Sequence, residues 1–327
     1  MPKFRIDDAN KEDILKIVTY HPHNYVKAVI SLTQPTGDVE FKPPTSSIGS
    51  LKVLPIELFD LVIKYSDMHT VSVLRTANRR TRLIVDASFP YKHIILCAPH
   101  IRATLERTGV ASHFFVEEVF CVLSNPACHV CGNFGLYLWI PECIRCCITC
   151  LKEDPGLMPM SERDAQAAFG LTKSQMAMIP VMVTLPGEYT TFQKSRQRGV
   201  RLLSQKRARQ LGIVVRGKEG LDKYTSSSNS KSLAAYRQKL AKRDVLDFID
   251  KLQYSFDDVY RYLSAVHFPY FDRLSHTTHV GLACRGCDIA SRGSTTSQHR
   301  RNKTYTTAGA LEHVKGCPDA QDLWMAN

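Results

Sequence analysis

Two short cysteine clusters, far apart in the chain, carry the residue types best suited to chemistry. The first runs from Cys128-His-Val-Cys131 to Cys147-Ile-Thr-Cys150, the second from Cys284-Arg-Gly-Cys287 to His313-Val-Lys-Gly-Cys317. Each offers four thiolate or imidazole ligands at spacings that close a tetrahedron around zinc. The turn inside a Cys-x-x-Cys knuckle aims both sulfurs at one metal. Gly132 stands just after the first knuckle, where a left-handed residue is often needed. Spacing leaves one choice open: Cys143-x-x-Cys146 and Cys147-x-x-Cys150 are both available to complete the first set. His313 and Cys317 lie four apart on an expected helix opened by Thr306 or Thr307, so their side chains share a face. His279 and His299 are alternatives to His313. Four protein ligands leave no position for a reacting water, so both expected zinc sites are structural.

Other chemistries find little support. A RING would interleave two complete ligand sets over one compact region, and these clusters lie more than a hundred residues apart. No phosphate-cradling glycine motif or hydrolase elbow is present. Cys97 and Cys121 are flanked by apolar residues that should bury a thiol and raise its pKa, which argues against a cysteine nucleophile. Catalysis is therefore not expected. Residues Met1 to Asn10 lack an apolar leader segment, and no stretch reaches the roughly twenty apolar residues that span a bilayer. Eleven cysteines then read as ligands and buried thiols of a reducing compartment, cytoplasmic or nuclear.

The formal charge of +12 is unevenly spread. From Tyr189 to Lys218 there is no acidic residue, and the stretch carries Lys194, Arg196, Arg198, Arg201, Lys206, Arg207, Arg209, Arg216 and Lys218. Such a field attracts phosphates or acidic protein surfaces, and nucleic acid is one expected class of partner. Tyr189 and Phe192 are the stretch's aromatic residues, which is sparse for a stacking surface.

Hydrophobic spacing supplies the elements that position these groups. Residues 1–33 carry a helical pattern (Ile14, Leu15, Ile17, Val18, then Tyr25, Val26, Val29, Ile30, Leu32) broken at His21-Pro22. Residues 34–50 read as a Pro/Gly/Ser linker. A helical block spans 51–109, and a short buried segment is expected around Ile179 to Leu185. Ser204 to Leu211 is an expected basic helix that stops at Gly212. Tyr224 to Ser232 reads as a serine-rich surface turn. Leu233 to Leu252 is an expected helix with Leu233, Tyr236, Leu240, Val245, Phe248 and Leu252 inward.

The segment LKVLPIELFDLVIKYSDMHTVSVLRTANRRTRLIVDASFPY, residues 51–91, holds three short helical patterns. Pro55 suits a helix start, Glu57 complements the positive end of the dipole, and Asp67 suits a second cap. Three short helices cannot bury all this apolar area among themselves, so Leu54, Pro55, Leu58, Phe59 and Val62 should leave a patch wanting a partner. The segment resembles an F-box, through Leu54-Pro55-x-Glu57-Leu58, Val62-Ile63, Val71, Leu74 and Asn78-Arg79-Arg80. Ser66 departs from the leucine usual there. The resemblance implies docking on a Skp-family adaptor, and through it a cullin, by Leu54, Pro55, Leu58, Phe59, Val62, Val71 and Leu74. The remainder would recruit a protein substrate to a ubiquitin ligase. The stretch from Cys128 to Cys150, Leu185-Pro-Gly-Glu-Tyr189 and the closing cysteine cluster are similar to F-box proteins of filamentous fungi. That similarity favours Cys147 and Cys150 as the completing pair.

The expected fold is mainly α, with small zinc-stapled α+β modules. Its parts are a helical extension (1–33), a linker (34–50), the F-box and following helices (51–109) and a zinc-ribbon-like module (110–190). A basic helical region (191–280) and a Cys-Cys-His-Cys zinc tail (281–327) complete it.

Overall fold

A computed structural model of the chain describes residues 6–22, 26–28, 48–189, 194–196, 199–227, 230–245, 256–291 and 298–326. The fold is mostly helical with small antiparallel sheets. After the first helix, α1 (Lys11–Val18), come α2 (Ile56–Lys64), α3 (Met68–Ala77), α4 (Arg79–Ala87), α5 (Phe89–Cys97) and α6 (Pro99–Thr108). Local chemistry sets their boundaries. Pro55 stands extended immediately before α2. The Asp67 carboxylate accepts from the Thr70 N–H at 2.8 Å and starts α3. Asn78 and Thr81 cap each other reciprocally at the start of α4. Pro90 and Pro99 fall in first turns, where no backbone donor is required. A seventh helix, α7 (Val116–Leu123), then packs with α5 and α2.

These helices share one core with the first cysteine region. Phe59, Ile63, Met68 and Val71 are continuous with Phe120, Leu138 and Trp139. Phe59 and Val71 were expected on the docking patch, and both are buried, at 2% and 0% exposure. They anchor α2 and α3 to the body because those side chains point away from the exposed face of each helix.

The expected divisions follow sequence order, and the tertiary structure redraws them. The strand Tyr137–Trp139 lies between Ile144–Cys146 and Ala265–His267, so the 110–190 module needs a strand from beyond residue 260. Likewise Arg201–Ser204 lies between Pro159–Ser161 and Met182–Val183, so 191–280 is not a separate unit. A satellite core of Met160, Phe169, Leu203, Leu211 and Leu221 forms beneath helices Glu162–Phe169, Gln205–Arg216 and Lys218–Ser226.

Three local expectations are corrected. Residues Val26–Ala28 form a strand paired with Gly187–Tyr189, where a helix was expected; Tyr25, Val29, Ile30 and Leu32 lie outside the described residues, as does the linker up to residue 47. The basic helix runs through Gly212 to Arg216. A Cβ at Gly212 would sit 3.3 Å from both Leu221 and Phe169, so this glycine permits close helix packing and does not stop the helix. Tyr224 to Ser226 ends a helix, and the Tyr224 hydroxyl donates to the Ala167 carbonyl at 2.9 Å. Of the next helix, Leu233 is buried and Tyr236 half-buried, while Phe248 and Leu252 lie outside the described residues.

A third small core joins the two ends of the chain. Ile14 and Val18 of α1 pack with Val314, Ala320 and the cysteines of the second cluster. The N-terminal extension is thus part of the C-terminal module.

Candidate metal centres

The folded chain brings Cys128, Cys131, Cys147 and Cys150 together, and separately Cys284, Cys287, His313 and Cys317. Within each group every ligand atom lies within 4.8 Å of the others. Both groups could hold a metal ion. Two structural devices build them. The first knuckle is a tight turn: the Cys128 N–H donates to the Asn133 carbonyl at 2.6 Å, and Gly132 takes φ +74°. The second device occurs in both groups, a Cys-x-x-Cys laid across a helix start. Cys147 caps the helix Ile148–Glu153 and Cys284 caps Arg285–Ala290. Each capping sulfur accepts the N–H of the cysteine three residues on, at 3.4 Å. The helix start therefore offers the capping sulfur a backbone donor and turns the second cysteine toward the same point.

Distances support convergence on a shared centre. Cys131 and Cys147 sulfurs lie 3.7 Å apart, as do those of Cys287 and Cys317. Cys284 and Cys317 are 4.0 Å apart, and His313 Nε2 lies 3.4 Å from the Cys287 sulfur. A disulfide needs about 2 Å, so these are separate thiols. Among them Cys128 is held down at about 4, chiefly by a hydrogen bond from Cys147, with backbone donors assisting. Cys147 is pushed up correspondingly, first by that same bond and then by burial. In the second group Cys284 is held at about 5 by Cys287, whose own pKa is raised. Crowded sulfurs of this kind, four in the first group and three beside an imidazole in the second, ionise together only when a cation neutralises them.

The choice that spacing left open has a geometric answer. Cys143 and Cys146 lie outside the converging group, though both are buried. Burial pushes Cys143 up to about 12, as expected of a core thiol. His279 packs on Tyr270, and His129 is exposed beside the first knuckle; neither joins a group. Thr306 caps the last ligand-bearing helix, Thr307–Lys315, through the Gly309 N–H at 3.1 Å.

Other residues complete these groups without a motif to announce them. The Asn133 amide lies 3.3 Å from the Cys131 sulfur. Tyr305 stacks on His313, and its hydroxyl lies 3.1 Å from Nδ1, which leaves Nε2 to face the cysteines. Arg145, inside the sheet that carries the first group, is 3% exposed. Its guanidinium donates to the carbonyls of Val122, Leu123, Gly135, Phe268 and Pro269. Those carbonyls belong to α7, the knuckle and the strand region near residue 268, so one cation ties three segments together. A basic residue in a cysteine-rich strand reads as solvated, and only the surrounding carbonyls could have signalled otherwise.

Burial differs between the two groups. Cys131 is exposed and Cys150 half-buried, whereas Cys284, Cys287 and Cys317 are all buried. Of the remaining thiols, Cys97 is half-buried and Cys121 exposed, against the expectation that apolar neighbours would bury it. Its pKa is still raised, by partial desolvation and then by Glu117, so it has no nucleophile's poise.

Helix α2 divides cleanly. Phe59 and Ile63 are buried, while Leu58, Leu61, Val62 and Tyr65 are exposed at positions that recur along one side of a helix. Leu54 is exposed at the approach to α2, and Leu74 on α3 is half-buried. No helix among the described residues is long and apolar enough to cross a membrane. Comparison with protein-family models, curated proteins and solved structures found no match to this chain.

Proposed function

We propose that this chain is a non-catalytic adaptor of a cullin-based ubiquitin ligase, docking a Skp-family partner through α2 and holding a protein substrate on its metal-stapled body. The observation that carries this reading is the two-sided character of α2. A surface helix normally keeps its apolar residues on the buried side. Here Leu58, Leu61, Val62 and Tyr65 face solvent opposite a buried Phe59 and Ile63, directly after the Leu54-Pro55 pair. An apolar stripe of this kind marks an interface. The docking set then narrows to Leu54, Pro55, Leu58 and Val62, with Leu61 and Tyr65 added and Leu74 at its margin. Phe59 and Val71 act as anchors.

The mechanism is proximity. An adaptor raises the effective concentration of a substrate lysine near activated ubiquitin and supplies no reacting group. The metal we assign to both groups is zinc. A zinc–sulfur bond of about 2.3 Å gives a tetrahedral sulfur–sulfur edge of about 3.8 Å, close to the spacings present. Three or four thiolates also select zinc over harder cations. Closed ligand sets make both ions structural.

Co-purification with a Skp-family adaptor tests the reading. Wild type should retain the adaptor, and Leu58→Asp with Val62→Asp should lose it while keeping its metal content and helical signal. Wild type that captures no adaptor overturns the assignment.

A further inference from the structure

The stretch of sequence that contains the satellite core carries almost all of the protein's net charge. Between Pro159 and Val245 the sequence carries 17 lysines and arginines against 6 acidic residues, a net of +11 in a chain whose total is +12. The rest of the molecule is close to neutral. Local ion pairs consume little of this excess. Arg201 pairs with Glu162, and Lys239 with Asp164 at 2.6 Å. Arg216 is also engaged, donating to the Gly170 carbonyl and lying over the Tyr224 ring. Lys206, Arg209, Lys218, Lys223, Lys231 and Arg237 are exposed.

The helix Gln205–Arg216 shows what sort of surface this is. Its inner side is Ala208, Leu211 and Gly212, all buried. On its outer side Lys206, Gln210 and Val214 follow one another a turn apart, flanked by Arg209. Val214 is 77% exposed, and Val215 and Met178 of the same module are also exposed. This surface therefore sets an exposed apolar side chain, Val214, beside the cations Lys206 and Arg209. A single-stranded nucleic acid would use cations with stacking rings, and a duplex would use cations alone. Among the described residues, Tyr189 and Phe169 are buried and Tyr224 is held by Ala167 and Arg216; Phe192 lies outside them.

We infer that the outer face of Gln205–Arg216 and its basic surroundings bind an acidic, amphipathic protein segment, with carboxylates meeting Lys206 and Arg209 and apolar side chains meeting Val214. Charge complementarity selects and steers such a partner, and the exposed valine supplies area that a phosphate backbone cannot use. On the adaptor reading, on which this part of the inference rests, the segment is the feature of the substrate that is captured.

Fluorescence anisotropy with the full-length, metal-loaded protein tests it. The probes are a labelled peptide alternating glutamate with leucine, a labelled polyglutamate of equal length, a DNA duplex and a single-stranded RNA. The amphipathic peptide should bind best and weaken as salt rises. Lys206→Glu with Arg209→Glu should cost about tenfold or more, equivalent to about 1.4 kcal/mol. Val214→Ser should weaken that peptide several-fold and leave polyglutamate unchanged. Circular dichroism and metal content identify any variant that has merely unfolded, and Lys92→Glu, at an exposed position on α5 outside this module, serves as a charge control. Tighter binding of duplex or RNA than of the peptide would overturn the inference in favour of a nucleic-acid surface. Binding of no probe at low salt would overturn it in favour of a solvated face. Neither result bears on Skp capture, which is read separately through α2.

Discussion

Thr19 lies opposite Cys284 in an antiparallel pair, so a strand near the chain's beginning borders the first ligand of the last metal group. Arg285, the next residue, donates to the Thr19 carbonyl at 2.8 Å and lies over the Tyr20 ring. Just before this strand, α1 sets Ile14 and Val18 against Cys284, Cys287 and Cys317. The second group is thus enclosed by residues almost three hundred positions away.

Removing residues 1–22 should therefore cost the protein its second metal and leave the first. Metal analysis of the purified truncation is expected to fall from about two equivalents to about one. Ile14→Asp with Val18→Asp should act in the same way, since both side chains are fully buried. Two equivalents retained by the truncation would show that the group closes without α1.

The competing knuckles separate by substitution. Cys147→Ser should lose one equivalent of metal, because its sulfur converges with those of Cys128, Cys131 and Cys150. Cys143→Ser should keep both. Its effect is confined to stability, where burying a hydroxyl in place of a thiol costs about 1–3 kcal/mol in denaturant unfolding.

Tyr305 positions His313 without being one of the four candidate ligands. Tyr305→Phe should keep the stack and lose the bond to Nδ1. Competition with a chelator should then show about tenfold or greater weakening at the second group alone. Equal weakening at both groups would point to general destabilisation.

Arg145→Met should be among the most damaging substitutions in the chain. It strands five carbonyls in a closed interior, at a cost of about 3–5 kcal/mol in chemical unfolding. Arg145→Lys should rescue little, because an ammonium lacks the planar fork that reaches carbonyls on several sides.

Acid sensitivity should arise partly from His267 and His100. Burial, then the neighbouring His100, holds His267 down at about 4 against an ordinary 6.5. Burial also lowers His100, whose Nε2 lies 2.7 Å from the His267 carbonyl. The unfolded chain binds the proton more readily, so stability is complete above about pH 6.5 and falls as pH drops toward 4. His267→Asn should remove about 1–3 kcal/mol of that decline, measured as unfolding free energy at pH 7 and pH 5. An unchanged slope would place the acid sensitivity in the metal ligands.

The candidate knuckles could be read from the sequence because a knuckle is local, a turn of four residues or a helix start that can aim two sulfurs at one point; which second knuckle joins Cys128 and Cys131 was left to the fold. The same holds for the caps at Asp67 and Thr306, where a side chain bonds a backbone donor three residues on. Tertiary structure decided the rest. Whether Phe59 or Leu58 faced solvent depended on where α5 and α7 packed, since α2 is apolar on both sides. Whether Arg145 was solvated or buried depended on carbonyls more than a hundred residues away. The module boundaries depended on strand pairing between distant segments, such as Thr19 with Cys284 and Ala265 with Trp139. Local spacing determines which residues are able to ligate or cap. Burial belongs to pairs of surfaces, and only the folded chain chooses those pairs.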